Sequence, residues 1–131
     1  MSAIPTQVQL KKKSGILLLH YADGSRHELS AEFLRVHSPS AEVRGHGKGQ
    51  AVLQTGKRLV GFRNLETVGN YAIRLIFDDG HDSGLYSWEY LYRLCQEHDT
   101  LWQQYLEALR QAGARRDPLP ADTQVITIEP K

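Results

Sequence analysis

The fold is decided by one stretch in the middle of the chain, which reads Asn70-Tyr-Ala-Ile-Arg-Leu-Ile-Phe-Asp-Asp-Gly-His-Asp-Ser-Gly-Leu-Tyr-Ser-Trp-Glu-Tyr-Leu91. Its first part alternates in polarity, which predicts a strand that ends at Asp78 and has one buried face. Asp79-Gly80 can supply the positive φ angles of a tight turn. Ser87 stands where a helix N-cap belongs, because its hydroxyl can accept from the free N–H groups of the first turn. The predicted buried face carries Tyr71, Ile73, Leu75 and Phe77.

An earlier segment repeats this order of elements. The apolar run from Ile16 to Tyr21, interrupted only by His20, predicts a strand that is central or covered on both faces. Asp23-Gly24 makes the corresponding turn, and Ser30 then caps a short helix that covers 31 to about 37. The repetition has two explanations. The segments could derive from a duplication, or each element could be present only because the ordinary chemistry of turns and caps favours it locally.

The segments between and before these two units are less regular. Residues 6–10 form a weak strand candidate, and the proline and glycines of 38–50 predict a loop. Two further strands are predicted, at 51–55 and at 59–68. The second of them precedes the Tyr71 strand closely enough to form a hairpin with it.

Apolar residues at helical spacing follow Ser87 and predict one long helix that ends at Gly113. Asp99 could also cap a second helix, so a kink near His98 fits the same pattern. From Asp117 onward, prolines and small polar residues predict a loose tail, in which 125–128 could add an edge strand. The apolar stripe consists of Trp88, Leu91, Leu94, Cys95, His98, Leu101, Trp102, Tyr105, Leu106 and Leu109.

Together these patterns predict an α+β domain. We expect a mixed, mostly antiparallel sheet built from two similar strand-turn-strand-helix halves, with one short and one long helix. Residues 1–5 are expected to be a flexible N-terminus, 6–113 a single domain, and 114–131 a loose C-terminal tail. A chain of 131 residues is long enough to bury about two thirds of the surface that its unfolded form exposes.

Composition excludes several classes of partner. Sixteen basic and 15 acidic side chains nearly cancel, and the only run of one sign, Lys11-Lys12-Lys13, is too short for a nucleic-acid interface. Cys95 is the single cysteine, so no internal disulfide is expected. The start of the chain lacks the apolar run of a signal peptide, and no segment has the ~20 apolar residues that cross a bilayer. The sequence therefore predicts a cytoplasmic protein that binds neither nucleic acid nor membrane.

The glycine-rich segment Gly45-His46-Gly47-Lys48-Gly49 does not meet the requirements of a P-loop. A P-loop follows a buried strand, ends in Gly-Lys-Ser/Thr and opens a helix, so that amide groups and the helix dipole meet the phosphates. None of these is met. The segment is interpreted as a flexible loop, or as a contact for an anion or a partner through Arg44, His46 and Lys48.

The spacing of residues gives little support for a metal site or a catalytic thiol. An iron oxygenase site usually uses His-x-Asp or His-x-Glu with a distant histidine, and neither pair occurs. His37, His46 and His81 lie at loop or turn positions and could meet in space, which leaves an iron or zinc site as an alternative. Cys95 has no identifiable neighbouring base, so it is predicted to belong to the core. The sequence also shows no pairing of a nucleophile with a base that would support a hydrolase.

Aromatic side chains of the long helix offer a second candidate surface. Most aromatic residues at helical spacing pack against a sheet. Tyr90 and Tyr92, on the far side of the stripe, are the better candidates for an exposed partner surface.

Three segments, 34–47, 55–58 and 68–88, resemble the domain at the N-terminus of gamma-butyrobetaine hydroxylase, which many bacteria also encode alone as a domain of unknown function, DUF971. The resemblance covers roughly 5 to 95 and implies a strand-rich α+β module without the oxygenase domain. In the hydroxylase such a domain binds zinc through Cys-x-Cys-x-x-Cys and a later histidine. The corresponding positions here are Ser38, Ser40, Val43 and His81.

Only the histidine of that zinc set is retained. Serine is a poor zinc ligand and valine is none, so the resemblance implies that packing and hydrogen bonds hold this loop instead. The same domain type also occurs joined to Mrp-type ATPases that carry iron–sulfur clusters, which implies an accessory role in iron–sulfur handling as one possibility.

The sequence thus predicts a non-enzymatic interaction or accessory domain without a cofactor. Its expected contact surface combines the loop 38–50 with the turn 78–83, where Arg44, His46, Lys48 and His81 meet a protein partner or an acidic ligand. The alternative is a metal-linked accessory of an oxygenase or of iron–sulfur cluster assembly, which would bind iron or zinc through His37, His46 and His81. Neither reading fixes the partner or the oligomeric state.

Overall fold

A computed structural model describes residues 3–44 and 51–118. Two strand-rich units are followed by helices at the C-terminal end of the described chain. The elements are β1 (Gln7–Lys11), β2 (Ile16–His20), β3 (Arg26–Ser30), α1 (Ala31–Val36), α2 (Ala41–Arg44), β4 (Phe62–Val68), β5 (Ala72–Phe77), β6 (Leu85–Ser87), α3 (Trp88–Gln96) and α4 (His98–Ala112).

The strands form two three-stranded antiparallel sheets, in the orders β1-β2-β3 and β4-β5-β6. The predicted α+β class, the two similar halves and the antiparallel pairing are confirmed. Each half is a sheet of its own, whereas the sequence pattern had indicated one shared sheet. The reason is that each half pairs its own consecutive strands through short connections, which sequence periodicity alone does not reveal.

Both predicted helix caps are confirmed. The Oγ of Ser30 accepts a hydrogen bond from the backbone N–H of Phe33 at 3.0 Å, and the Oγ of Ser87 accepts one from Tyr90 at 3.1 Å. Both caps have extended backbone angles, with φ/ψ of −74°/155° and −67°/157°. A strand therefore passes into a helix by the same means in each half.

One core cluster joins the two sheets to α1 and α3, and a smaller one packs Tyr105 and Leu109 of α4 against Val36. Leu17 and Leu19 are fully buried and Leu18 is 2% exposed, so β2 is both the central strand of its sheet and covered on both faces. The predicted buried face of β5 is correct for its last three members and wrong for Tyr71, which is 57% exposed. Tyr71 precedes the strand, where its N–H bonds to the carbonyl of Val68 in a turn.

The region between the halves differs from its predicted structure in two places. Residues 41–44 of the expected loop form the short helix α2, because the carbonyl of Ser40 accepts from the N–H groups of Val43 and Arg44 at 3.0 and 2.9 Å. The predicted strand at 51–55 is not a strand, and β4 begins at Phe62 rather than at Leu59. The glycine-rich segment 45–49, interpreted from the sequence as a flexible loop or a contact for an anion or a partner, lies outside the described residues.

The long helix is divided in two at Glu97, as the possible kink near His98 had indicated. Asp99 does not cap the second helix. It lies in the first turn of α4, whose N-cap residue Glu97 makes no side-chain capping bond. Gly113 ends α4 in the left-handed conformation, with φ of 63°, as the sequence had predicted.

Residues 114–118 are held against the domain instead of forming the start of a loose tail. The N–H groups of Gly56 and Arg58 each donate at 2.9 Å, to the carbonyls of Arg115 and Arg116. The Arg116 guanidinium pairs with both carboxylate oxygens of Glu32, at 2.8 and 2.7 Å, and lies 5.0 Å from the ring centroid of Trp102. The expected edge strand at 125–128 lies outside the described residues.

Among the described helices, none is both long enough and apolar enough to cross a membrane.

Candidate functional site

The turn Phe77–His81, called the second turn below, is the centre of the site. Its backbone is closed by two hydrogen bonds, from the N–H of Phe77 to the carbonyl of His81 at 3.0 Å and from Gly80 to Phe77 at 3.2 Å. The carboxylate of Asp79 also accepts from the backbone N–H of His81 at 3.1 Å. Gly80 has a φ of 91°, which glycine adopts without strain. The predicted Asp-Gly turn is therefore confirmed, with the positive φ supplied by Gly80 and not by Asp79.

His81 is buried, with 3% of its side chain exposed, and both ring nitrogens have partners. Nδ1 lies 3.2 Å from Oε2 of Glu42 and Nε2 lies 2.8 Å from Oγ of Ser38. A carboxylate only accepts, so the proton of the neutral ring is assigned to Nδ1, and Nε2 accepts from the Ser38 hydroxyl. The serine oxygen in turn accepts from the N–H of Ser40 at 3.2 Å.

Burial lowers the pKa of His81 below its ordinary value, and the positive charge of Arg35 lowers it further. The carboxylates of Glu42 and Asp79 raise the pKa and oppose that shift only in part. The neutral ring is therefore the form that fits this site.

The arrangement of Ser38, His81 and Glu42 is that of a serine hydrolase triad. The sequence did not reveal it, because Ser38 and Glu42 lie 43 and 39 residues before the histidine. A nucleophile must be reached by its substrate. Ser38 is 1% exposed and its oxygen already accepts a backbone N–H, so the chain of bonds fixes a loop and does not attack a substrate.

The four positions that correspond to the family's zinc ligands belong to this same region. Ser38 bonds to His81, Ser40 bonds through its Oγ to that of Ser83 at 2.7 Å, and Val43 is 6% exposed. Two hydroxyls, an isopropyl group and one imidazole do not fit zinc, which takes thiolate, imidazole or carboxylate ligands. Within 38–44, hydrogen bonds and packing engage these side chains as the sequence had predicted, and 45–50 lies outside the described residues.

The histidines of the alternative metal site have separate surroundings. Nδ1 of His37 lies 2.9 Å from the carbonyl of Phe33, and its ring packs on Phe33 and Tyr105. His81 is bound by Ser38 and Glu42, and His46 lies outside the described residues. Within 3–44 and 51–118, no three histidine, cysteine, aspartate or glutamate side chains are placed to hold a metal ion.

Asp79 also joins the second turn to two cationic side chains. Its Oδ2 accepts from Nε of Arg35 at 2.9 Å and from Nζ of Lys57 at 2.8 Å, and Nη1 of Arg35 donates to Gln54 at 2.9 Å. Burial raises the pKa of Asp79, but the hydrogen bonds from Lys57 and His81 and the two positive charges outweigh it, and the pKa is about 2. The sequence analysis missed this cluster, since its members come from three separated segments.

Of the predicted contact residues, only Arg44 is described as exposed. His81 is buried and supports the loop from beneath, so its expected role as a direct contact is corrected. His46 and Lys48 lie outside the described residues, and their roles stay predictions.

Two cavities meet at Arg44. The first has a volume of about 390 Å³ and the second about 360 Å³, and Arg44 and Tyr90 line both. The second also takes in Leu85, Glu89 and Arg93. The first is walled mainly by apolar and aromatic groups, namely Val36, Val43, Ala51, Val52, Leu53, Tyr90, Tyr105 and Ala108.

Tyr90 and Tyr92, the two tyrosines predicted to form a partner surface, have surroundings that differ from each other. Tyr90 is half-buried, and its hydroxyl donates to the carbonyl of His37, so its ring forms a fixed part of the cavity wall. Tyr92 packs edge-on against Tyr21, with ring centroids 5.5 Å apart. Cys95 is 8% exposed in the core, as predicted, and burial raises the pKa of its thiol to about 11.

Comparison with known proteins identifies similar sequences and structures. The sequence model described as gamma-butyrobetaine hydroxylase-like, N-terminal, matches residues 8–92. Two proteins solved by NMR are similar over almost their whole length. One is 50% identical, with a TM-score of 0.80, and covers 97% of this chain and 100% of its own. The other is 46% identical, with a TM-score of 0.75, and covers 96% and 95%.

A crystal structure of a DUF971 protein of unknown function from Acidithiobacillus ferrooxidans is also similar, with 34% identity and a TM-score of 0.53. The match covers 69% of this chain and 90% of that protein. No curated protein matches the sequence.

Proposed function

This chain belongs to the gamma-butyrobetaine hydroxylase-like N-terminal family, and we propose that it is a non-enzymatic interaction domain that binds a protein partner at Arg44. The observation that carries the proposal is the position of this exposed guanidinium on the border between two cavities, one of them largely apolar. Binding sites typically combine apolar walls with a few placed polar groups.

The helix that carries Arg44 is held on a rigid base. Ser38 and Ser40, which precede α2, bond to His81 and Ser83 on the other half of the molecule, and Glu42 within α2 pairs with His81. A functional group on a loop is positioned well when the scaffold beneath it is fixed. In this proposal the former metal-site positions present α2, and Arg44 makes the contact.

The metal-linked alternative, with iron or zinc at His37, His46 and His81, receives no support from the contacts of the two histidines that are described. Ser38 and His81 are buried, so the bonds that link them to Glu42 offer a substrate no route to the serine hydroxyl. The interaction role therefore fits the described geometry better than catalysis.

The test is affinity capture from the native cell, with the full chain as bait and mass spectrometry as the readout. Arg44→Glu reverses the charge at the cavity border, and we expect it to lower recovery of the specific partner at least fivefold. Arg26→Glu is the matched control, because Arg26 is an exposed arginine on the edge strand β3. Equal recovery of every captured protein by the wild type and Arg44→Glu would overturn the proposal.

A further inference from the structure

The two cavities together indicate which kind of segment the partner presents. We propose that it is an extended peptide segment in which a large apolar side chain fills the first cavity and an acidic side chain two residues away pairs with Arg44. This inference rests on the proposed function and adds the chemistry of the bound segment.

The first cavity suits an apolar side chain because its walls offer little to a polar one. Its volume of about 390 Å³ is within the ~300–1,000 Å³ of typical ligand clefts. The hydroxyls of Tyr90 and Tyr105 are already used, as donors to the carbonyls of His37 and Gln54. Burial also lowers the pKa of His37, which keeps this ring in the cavity wall neutral near pH 7.

The charge around the second cavity selects an acidic group. Arg44 and Arg93 line it against one carboxylate, Glu89, and Arg93 also pairs with Glu97 at 3.1 Å. No carboxylate of the described chain lies within ion-pair distance of Arg44. An incoming carboxylate therefore meets a complementary charge.

The proposed spacing of the two side chains follows from the wall that the two cavities share. Arg44 and Tyr90 are shared by both cavities, so a segment that occupies the first cavity passes the guanidinium. In an extended peptide, residues i and i+2 lie on the same side and about 6.5 to 7 Å apart. An apolar residue and an acidic residue in that relation can enter the cavity and reach Arg44 at the same time.

The experiment is selection of a phage-displayed library of random 12-residue peptides on the full-length chain. We expect enriched sequences to share an apolar residue two positions from Asp or Glu. Synthetic versions, acetylated and amidated so that no terminal carboxylate remains, are then measured by fluorescence polarisation. Replacing the acid by its amide should weaken binding at least fivefold to the wild type and to Arg26→Glu, and should have little effect on Arg44→Glu.

Every other result overturns the inference. These results are no enrichment, enrichment of sequences without an acid, binding that needs a free C-terminus, or affinity that Arg44→Glu leaves unchanged. Dissociation of a dimer by Arg44→Glu in sedimentation velocity would assign the cavity to a second copy of the chain and would also overturn it. If capture from cells still depends on Arg44 while the peptides fail, the interaction role stands and only the proposed segment is wrong.

Discussion

The molecule contains the same turn twice, at Tyr21–Ser25 and at Phe77–His81. In the first turn, the N–H of Tyr21 donates to the carbonyl of Ser25 and Gly24 donates to Tyr21, both at 3.0 Å. The carboxylate of Asp23 accepts the N–H of Ser25 at 2.9 Å, just as Asp79 accepts that of His81 at 3.1 Å. Gly24 and Gly80 have φ angles of 88° and 91°. The backbone of the two turns is therefore nearly identical.

Their surroundings differ completely. Within 3–44 and 51–118, the Asp23 carboxylate bonds only to its own turn, at the N–H and the hydroxyl of Ser25. Asp79 also binds two cationic side chains from other segments, and His81, which corresponds to Ser25, joins the second turn to the loop before α2. The comparison shows that a locally stable turn becomes a structural centre only when distant residues are placed against it.

The largest expected effect comes from introducing cysteines beside the second turn, at the positions that the resemblance to the hydroxylase domain aligns with zinc ligands. The triple variant Ser38→Cys, Ser40→Cys, Val43→Cys should bind one zinc ion together with His81, because three thiolates and an imidazole make a closed tetrahedral site. At free zinc 1,000 times its Kd, binding would stabilise the fold by about 4 kcal/mol.

Elemental analysis and thermal melting with and without a chelator measure this effect. The same triple variant with His81→Ala is the control and should lose the tight binding. A triple variant that purifies without zinc would show that these positions do not correspond to the metal ligands of the family.

The next effect comes from removing the aspartate of each turn. Asp79→Ala leaves the Arg35 guanidinium, whose side chain is 9% exposed, without its carboxylate. Loss of the Asp79 carboxylate should lower the free energy of unfolding by about 2 to 3 kcal/mol. The loss is smaller than for a fully buried ion pair, because the Asp79 side chain is 24% exposed. Asp23→Ala removes only local bonds and should change stability little.

Urea denaturation at pH 7 measures both variants. If the two substitutions shift the urea midpoint equally, then Arg35 and Lys57 add no stability beyond that of the turn itself. That result would contradict the proposed difference between the two turns.

The smallest expected effect depends on pH. The pKa of His81 is lower in the folded protein than its value of about 6.5 in an unfolded chain. Its neutral ring thus adds stability that is complete above about pH 6.5 and is lost as pH falls through the folded pKa. The stability difference between the wild type and His81→Gln should narrow as pH is lowered from 7 to 5.

Urea midpoints at half-unit pH steps test this expectation. His27→Gln is the control, because His27 lies in the first half with its ring edge-on against Tyr21. If the stability difference between the wild type and His81→Gln stays constant or widens as the pH is lowered, the result would contradict the assignment of a neutral His81 ring.

Sequence reasoning identified the locally encoded features. The caps at Ser30 and Ser87, the Asp-Gly turns and the C-terminal glycine of α4 each depend on residues a few positions apart, so a sequence pattern can identify them. The short helix α2 and the position of 114–118 were missed. Side-chain bonds to His81 and Ser83 hold the region of α2, and backbone bonds from Gly56 and Arg58 hold 114–118, so both depend on residues far away in the sequence. His81 was placed on a turn correctly, but its burial was not visible in the sequence.

By itself, the sequence determined the family, the α+β class and the two repeated strand-turn-strand-helix units, because short-range periodicity, turn chemistry and capping encode them. Only the tertiary structure decided that one of two similar turns joins distant parts of the molecule. That role depends on charge pairing and hydrogen bonding between residues far apart in the chain, which bring Arg35, Lys57 and Ser38 to the second turn, whereas the Asp23 carboxylate of the first turn bonds to Ser25 of the same turn.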